Sequence, residues 1–186
     1  MRNLPKAWGL DRVAPTKAEV VTTMPGDDLL PRADAVMDRA FNVTAPPDVV
    51  WPWLVQLGKA RAGWYLPEPV ERLIPRGRRA SRGIDPRWQD MAPGDVIPDY
   101  GGRHATFTVH QMVRDSVLVF TSRRGRTDIT WSIRLRPVGT DATRVQLRLR
   151  LGPVRHKWLV DTVGELFDLL TIAGMAAGLE ERAGVR

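Results

Sequence analysis

Residues 144–151 alternate strictly between polar and aliphatic side chains. The aliphatic set is Val145, Leu147, Leu149 and Leu151, and the polar set is Arg144, Gln146, Arg148 and Arg150. Because successive side chains of a β-strand point to opposite faces, this pattern predicts a strand with one buried and one solvated face. Such strands are typical of antiparallel sheets that meet a core on one side and water on the other.

Similar patterns predict four further strands, at residues 36–43, 106–113, 116–122 and 130–136. The last of these places Trp131, Ile133 and Leu135 on one face. We therefore expect a concave apolar sheet face, with Val145, Leu147 and Leu149 beside these residues. The arginines of the same strands should face water, namely Arg134, Arg136, Arg148 and Arg150.

Four segments carry helix signals. Thr16 and Glu19 have the spacing of a capping box, in which each side chain bonds the backbone N–H of the other. Pro52 lies inside the second segment and removes one backbone hydrogen bond, so we expect a kink or a split there. The predicted helices cover residues 17–22, 46–58, 68–74 and 158–182.

The order of these elements predicts an α+β fold, with helices segregated from an antiparallel sheet. The 186 residues are 43% hydrophobic, which suits one domain with a real core. Residues 1–35 are proline-rich without apolar periodicity, so we expect an N-terminal arm that packs on a single domain of residues 36–186. With no cysteine and no basic-then-apolar leader, a reducing cytoplasm is the expected location.

The net charge of +7 invites a nucleic-acid interpretation, but 24 of the 28 basic residues are arginines spread along the chain. No nucleic-acid-binding motif is present, so no nucleic-acid partner is expected. The densest run lies between Arg72 and Arg87. It is either a solvated loop or an anion-binding rim for phosphate or anionic lipid.

Several segments resemble the START-like superfamily, also called SRPBCC, which includes polyketide cyclase/dehydrase and lipid-transport proteins. They are APPDVVWPWLVQLG at 45–58, RAGWY at 61–65, WQD at 88–90 and GDVIP at 94–98. Trp8-Gly9, Glu19 and PGDD at 25–28 are similar to the leader of one bacterial branch. The resemblance implies a helix-grip fold, in which a curved antiparallel sheet wraps a long C-terminal helix and leaves a cavity between them.

That fold implies a binding or carrier role for a small hydrophobic molecule that is lipid-like, aromatic or polyketide-like. Leu166, Phe167 and Leu170 of the last helix are expected to face the sheet across the cavity. The alternative is that the sheet aliphatics only fill a core. The expected ligand-binding residues are Trp64, Tyr65, Trp88, Phe107, Phe120, Trp131, Ile133, Leu147, Leu149 and Phe167.

An enzyme of the cyclase/dehydratase kind is the second hypothesis, and it needs an acid or base inside the cavity. Tyr65, Asp90 and His110 are the candidate catalytic residues. His104, His110 and His156 have no metal-ligand spacing, and no phosphate-binding or dinucleotide-binding glycine pattern occurs. We therefore expect no metal and no cofactor.

The last helix is apolar enough to raise the question of a membrane span. Asp161, Glu165 and Asp168 recur on one face of it, and these carboxylates argue against stable membrane insertion. The exposed edges of a curved sheet and the N-terminal arm are both compatible with a homodimer.

Overall fold

The computed structural model describes residues 10–155 and 157–184, so Trp8, Gly9 and His156 lie outside the described residues. Four α-helices occur among six strands, with short 3₁₀ turns between them. The helices are α1 (Lys17–Val21), α2 (Pro47–Gln56), α3 (Glu68–Glu71) and α4 (Lys157–Ala183). The strands are β1 (Ala35–Val43), β2 (Val96–Pro98), β3 (Thr106–Val113), β4 (Val117–Arg124), β5 (Thr127–Val138) and β6 (Ala142–Gly152).

The strands form one antiparallel sheet in the order β1-β6-β5-β4-β3-β2. The first strand closes one edge by pairing with the last, so Phe41 lies opposite Val145 and Met37 opposite Leu149. The second half of α4 packs on the concave face, where Ile172, Met175 and Leu179 are buried. This arrangement confirms the predicted α+β helix-grip fold.

Much of the opposite face of β5 and β6 lies under the N-terminal arm instead of meeting water, which corrects the expectation for Arg134, Arg148 and Arg150. The N-terminal arm lies across it, and its Glu19 and Asp27 carboxylates pair with Arg144 and Arg148 at 2.7 Å in each case. Arg148 also donates to backbone carbonyls of the arm, including that of Val20 at 2.7 Å. Arg148 as a whole is only 4% exposed. The central part of β6 is therefore covered on both faces.

The remaining three arginines of this face also have protein partners, but they are buried to different degrees. Arg150 donates to the carbonyls of Leu30 and Pro31 in the arm. Arg134 is half-buried and donates to Gln146 of the neighbouring strand at 2.7 Å. Arg136 pairs with Glu19 at 2.9 Å and keeps about half of its side chain in solvent.

Helices α2 and α4 also differ from the sequence-based expectation. Helix α2 runs without interruption through Pro52, because proline removes only one backbone donor from the ten-residue segment. Helix α4 includes a π-helical turn at Val160–Gly164. The side of α4 that faces the sheet carries Gly164 and Asp168, so Leu166, Phe167 and Leu170 are exposed instead of facing the cavity.

Gly178 marks the closest approach between α4 and the loop before α3. A Cβ atom built there would lie 2.6 Å from the backbone nitrogen of Leu66. Gly178→Ala is expected to lower the free energy of unfolding by about 1–3 kcal/mol, although alanine favours helices. Urea denaturation measures this, with Gly77→Ala as the control because nothing lies within 4 Å of its Cβ position. Equal stability of the two variants would contradict the close packing.

Candidate functional site

A small apolar cleft opens at one end of the concave sheet face. Its walls come from the segment after α2, from Trp64, from β2 with the loop that follows it, and from β3, β4 and β5. The enclosed volume is about 30 Å³, which is room for one or two water molecules. The lining residues are Leu57, Gly58, Lys59, Trp64, Ile97, Pro98, Asp99, Tyr100, Phe107, Phe120 and Trp131.

Aromatic rings fill most of this cleft. Trp131 is stacked between Phe120 and Trp64, with ring centroids 5.6 and 6.2 Å apart and an interplanar angle of 27° in both pairs. Phe107 lies 5.9 Å from Trp131, and Tyr100 meets Trp64 edge-on at 6.5 Å. Three of the rings stand on the sheet, whereas Trp64 and Tyr100 belong to loops. The cleft therefore has a rigid floor and an aromatic cover.

A tight backbone turn positions Trp64. Gly58 and Gly63 exchange backbone hydrogen bonds of 3.1 and 3.0 Å, and both have positive φ angles that favour glycine. The indole Nε1 of Trp64 donates to the carbonyl of Thr171 in α4 at 3.2 Å. This hydrogen bond ties the aromatic cover to the helix.

Three charged side chains lie at the mouth of the cleft. Asp99 pairs with Arg124, whose guanidinium lies over the ring of Phe107 at 5.4 Å. Lys59 donates to the carbonyl of Gly102 at 3.2 Å. Burial, together with the charge of Asp99, raises the pKa of Tyr100 above its ordinary value. The polar groups thus lie at the rim and the interior of the cleft is apolar.

The three candidate catalytic residues do not meet in this cleft. Tyr65 is fully buried in the core, where its hydroxyl donates to the carbonyl of Trp53 at 2.8 Å and accepts from Gln56 at 3.1 Å. Burial raises the pKa of Tyr65 far above its ordinary value. Asp90 and His110 are both exposed. Among the described residues, no cluster of three or more metal-ligating side chains occurs.

The expected ligand-binding residues divide into three groups. Trp64, Phe107, Phe120 and Trp131 line the cleft. Tyr65, Ile133 and Leu147 are buried in the core, and Leu149 is half-buried opposite Trp131 in the sheet register.

The other two expected ligand-binding residues lie elsewhere. Trp88 lies under the guanidinium of Arg61, 4.8 Å from the ring centroid, outside the cleft lining. Phe167 is 70% exposed on α4. Neither residue lines the cleft.

Sequence reasoning missed β2, the loop residues after it and a buried ion pair. Ile97 of β2 and Asp99 and Tyr100 of the loop line the cleft, and the local signal for the loop was a turn at Tyr100. Arg39 pairs with Asp168 of α4 at 2.9 Å, and burial raises the pKa of Asp168 to about 6. The signal for this pair was an arginine on the apolar face of the first strand.

Comparisons with known proteins agree with this architecture. No family model and no curated protein matches the sequence. A hypothetical protein of Helicobacter pylori is similar in structure, with a TM-score of 0.55 at 11% identity over 91% of this chain and 99% of that one. A protein of Chromobacterium violaceum has a TM-score of 0.52 at 16% identity, over 81% of this chain and 98% of that one.

DynU16, a protein encoded in the dynemicin biosynthetic locus, is also similar. Its TM-score is 0.50 at 17% identity, over 81% of this chain and 49% of that one. The chain has the helix-grip fold. Likeness at these identities shows the fold alone, so the function has to be argued from the cleft.

Proposed function

We propose that this protein binds a small hydrophobic molecule with an aromatic or polyketide-like ring system, in a carrier or binding role. The observation that carries the proposal is the aromatic stack of Trp64, Trp131 and Phe120 in an apolar cleft with charges only at its rim. Flat rings favour offset stacking against other aromatic faces. The same fold occurs in DynU16, a protein of the dynemicin biosynthetic locus.

The enclosed volume bears on how such a ligand enters. Small-molecule sites in proteins usually occupy roughly 300–1,000 Å³, whereas this cleft encloses about 30 Å³. One wall therefore has to move. Trp64 and Tyr100 stand on loops, while Trp131 is held between two strand neighbours. We propose that the ligand ring replaces Trp64 on the face of Trp131.

The cyclase/dehydratase alternative has weaker support. It requires a proton donor or acceptor within hydrogen-bond reach of the ligand. The hydroxyl of Tyr65 is engaged in the core, and Asp90 and His110 are solvent-exposed. A carrier needs only shape and apolar contact: the cleft supplies the apolar contact, and the proposed displacement of Trp64 makes the room.

Native mass spectrometry of freshly purified protein tests for a retained ligand, and a titration with a hydroxyanthraquinone tests the ring class. Trp131→Ala is expected to weaken binding of this probe by about tenfold or more, because the aromatic contact between Trp131 and the probe ring is lost. Trp88→Ala removes the same side chain outside the cleft and is expected to leave the affinity unchanged. Calorimetry measures both affinities.

The controls separate a binding defect from a folding defect. Trp131→Phe keeps an aromatic face and should retain most of the affinity, and circular dichroism confirms the fold of each variant. If the wild-type protein does not bind the probe and carries no endogenous molecule, the cleft is only a packed core and the proposal fails. Equal loss in the Trp131 and Trp88 variants would also contradict it.

A further inference from the structure

The first half of α4 carries a stripe of exposed apolar side chains. Phe167 and Trp158 are 70% and 65% exposed, and their apolar neighbours are 40–61% exposed. At 1.5 Å per residue the stripe is about 18 Å long. Contiguous apolar surface of this kind marks interaction sites. We call this set the apolar stripe, and it consists of Trp158, Leu159, Val163, Leu166, Phe167 and Leu170.

The opposite side of the same helix is fixed to the sheet. A Cβ atom at Gly164 would lie 3.3 Å from Met37, and Asp168 and Glu165 both pair with Arg39. Lys157–Ala183 is long and apolar enough to cross a membrane by length and composition. Its second half is packed in the core, however, and its last turn contains Arg182, which pairs with buried Glu71. The helix therefore offers one face to a partner without leaving the fold.

Three exposed arginines belong to backbone segments that meet just before α4 begins. The hydroxyl of Thr127 donates to the carbonyl of Pro153 at 2.8 Å, which brings the β4–β5 turn to the start of α4. The backbone of Arg32 lies beside Gly152 at the same place. The basic cluster formed here consists of Arg32, Arg126 and Arg155, all exposed.

The acidic side chains of this region are already engaged. Asp128 pairs with Arg123, Asp161 pairs with Lys157, and Asp34 accepts the backbone N–H of Val154. Within residues 10–155 and 157–184, the basic cluster has no carboxylate partner at ion-pair distance. Its positive charge is therefore available to an anionic partner.

We infer that the apolar stripe and the basic cluster form a docking surface for a lipid bilayer that contains anionic phospholipids. Apolar side chains with an aromatic residue at one end enter the boundary between headgroups and acyl chains, while arginines meet the phosphates. A second copy of this chain fits less well, because each copy has a net charge of +7 and would bring its own basic cluster to the contact. This inference does not depend on the proposed cleft ligand.

Co-sedimentation with vesicles tests the inference. The full chain is expected to bind vesicles of phosphatidylcholine and phosphatidylglycerol at 70:30, and to bind pure phosphatidylcholine vesicles much more weakly. Raising the salt concentration should release it, because screening weakens the phosphate contacts. Absence of binding to the anionic vesicles at low salt would overturn the inference.

Matched variants locate the surface. Phe167→Ser with Val163→Ser should reduce vesicle partitioning at least about tenfold, since two apolar side chains that enter the bilayer are lost. Leu73→Ser with Val21→Ser removes two apolar side chains that are 87% and 84% exposed elsewhere, and should change it little. All four residues are exposed, and thermal denaturation verifies that every variant folds.

The charge is tested in the same way. Arg126→Gln with Arg155→Gln should weaken binding roughly tenfold or more, whereas Arg12→Gln with Arg114→Gln makes the same change of net charge at exposed arginines elsewhere. Equal loss in both pairs would show a general charge effect and overturn the localisation. Sedimentation velocity provides the last test. If the protein self-associates, the Phe167→Ser, Val163→Ser variant does not, and neither binds vesicles, the stripe is a contact with a second copy instead.

Discussion

Glu19→Gln is expected to lower the free energy of unfolding at pH 7 by about 3 kcal/mol. Glu19 accepts hydrogen bonds from Arg144 at 2.7 and 2.8 Å, and the bonds to this guanidinium hold the pKa of Glu19 at about 2 instead of 4.5. Each unit of pKa difference between folded and unfolded chains corresponds to about 1.4 kcal/mol. The arm would lose the main charge that ties it to the sheet.

The pH dependence has a defined sign. The folded pKa of Glu19 is depressed, so its stabilisation is fully present above the unfolded value near 4.5 and disappears as the pH falls towards 2. Urea denaturation at pH 7, 4 and 2.5 should show the stability difference between wild type and variant shrinking as the pH falls. A constant difference across this range would contradict the ion-pair explanation.

Asp128→Asn is the control for this experiment. Its partner Arg123 is 3.6 Å away, and both side chains are about half or more exposed. Exposed ion pairs contribute about 0–1 kcal/mol. The control should therefore lose little stability at any pH.

Arg182→Met is expected to lower the free energy of unfolding by about 3–5 kcal/mol. The Arg182 guanidinium pairs with Glu71 at 2.5 Å, and the two side chains are 1% and 3% exposed. It also donates to the carbonyls of Ser81 and Leu66. Removing Arg182 leaves the buried carboxylate of Glu71 with only the partly exposed Arg82, at 2.8 Å, and leaves both carbonyls without this donor, which is strongly destabilising. Chemical denaturation measures the loss.

A double-mutant cycle tests whether the pair is the cause. Glu71→Gln combined with Arg182→Met should cost less than the two single changes added together, because the direct interaction between the two side chains is lost only once. Arg72→Met is the matched control, since its ion pair with Glu68 is exposed on both sides. Additive effects of the two buried changes would show that loop packing, not charge pairing, holds α4.

The strands and the capping box could be predicted from the sequence because both depend on local chemistry. Thr16 and Glu19 are three residues apart and form both hydrogen bonds of the capping box. The alternation in 144–151 likewise identified the two faces of β6. It did not reveal what covers the polar face, because Glu19 lies 125 residues before its partner Arg144.

The buried face of α4 could not be derived from periodicity alone. Both an aliphatic face and a carboxylate face recur along the helix, and the aliphatic one was expected to be buried. Arg39 decides the outcome, because it lies on the concave face of β1 and pairs with Asp168. An arginine held in the core requires a carboxylate partner. The aliphatic side chains therefore remain outside, as the apolar stripe.

The sequence by itself determined five of the six strands and the α+β order of elements, since short-range periodicity and capping residues specify these, and the family resemblance implied the helix-grip arrangement. Only the tertiary structure decided which aromatic residues meet. Trp64, Tyr100 and Trp131 come from two loops and one strand, and their convergence depends on sheet register and on the turn at Gly58 and Gly63. Contacts between such distant segments follow from packing the whole chain, which no local pattern encodes.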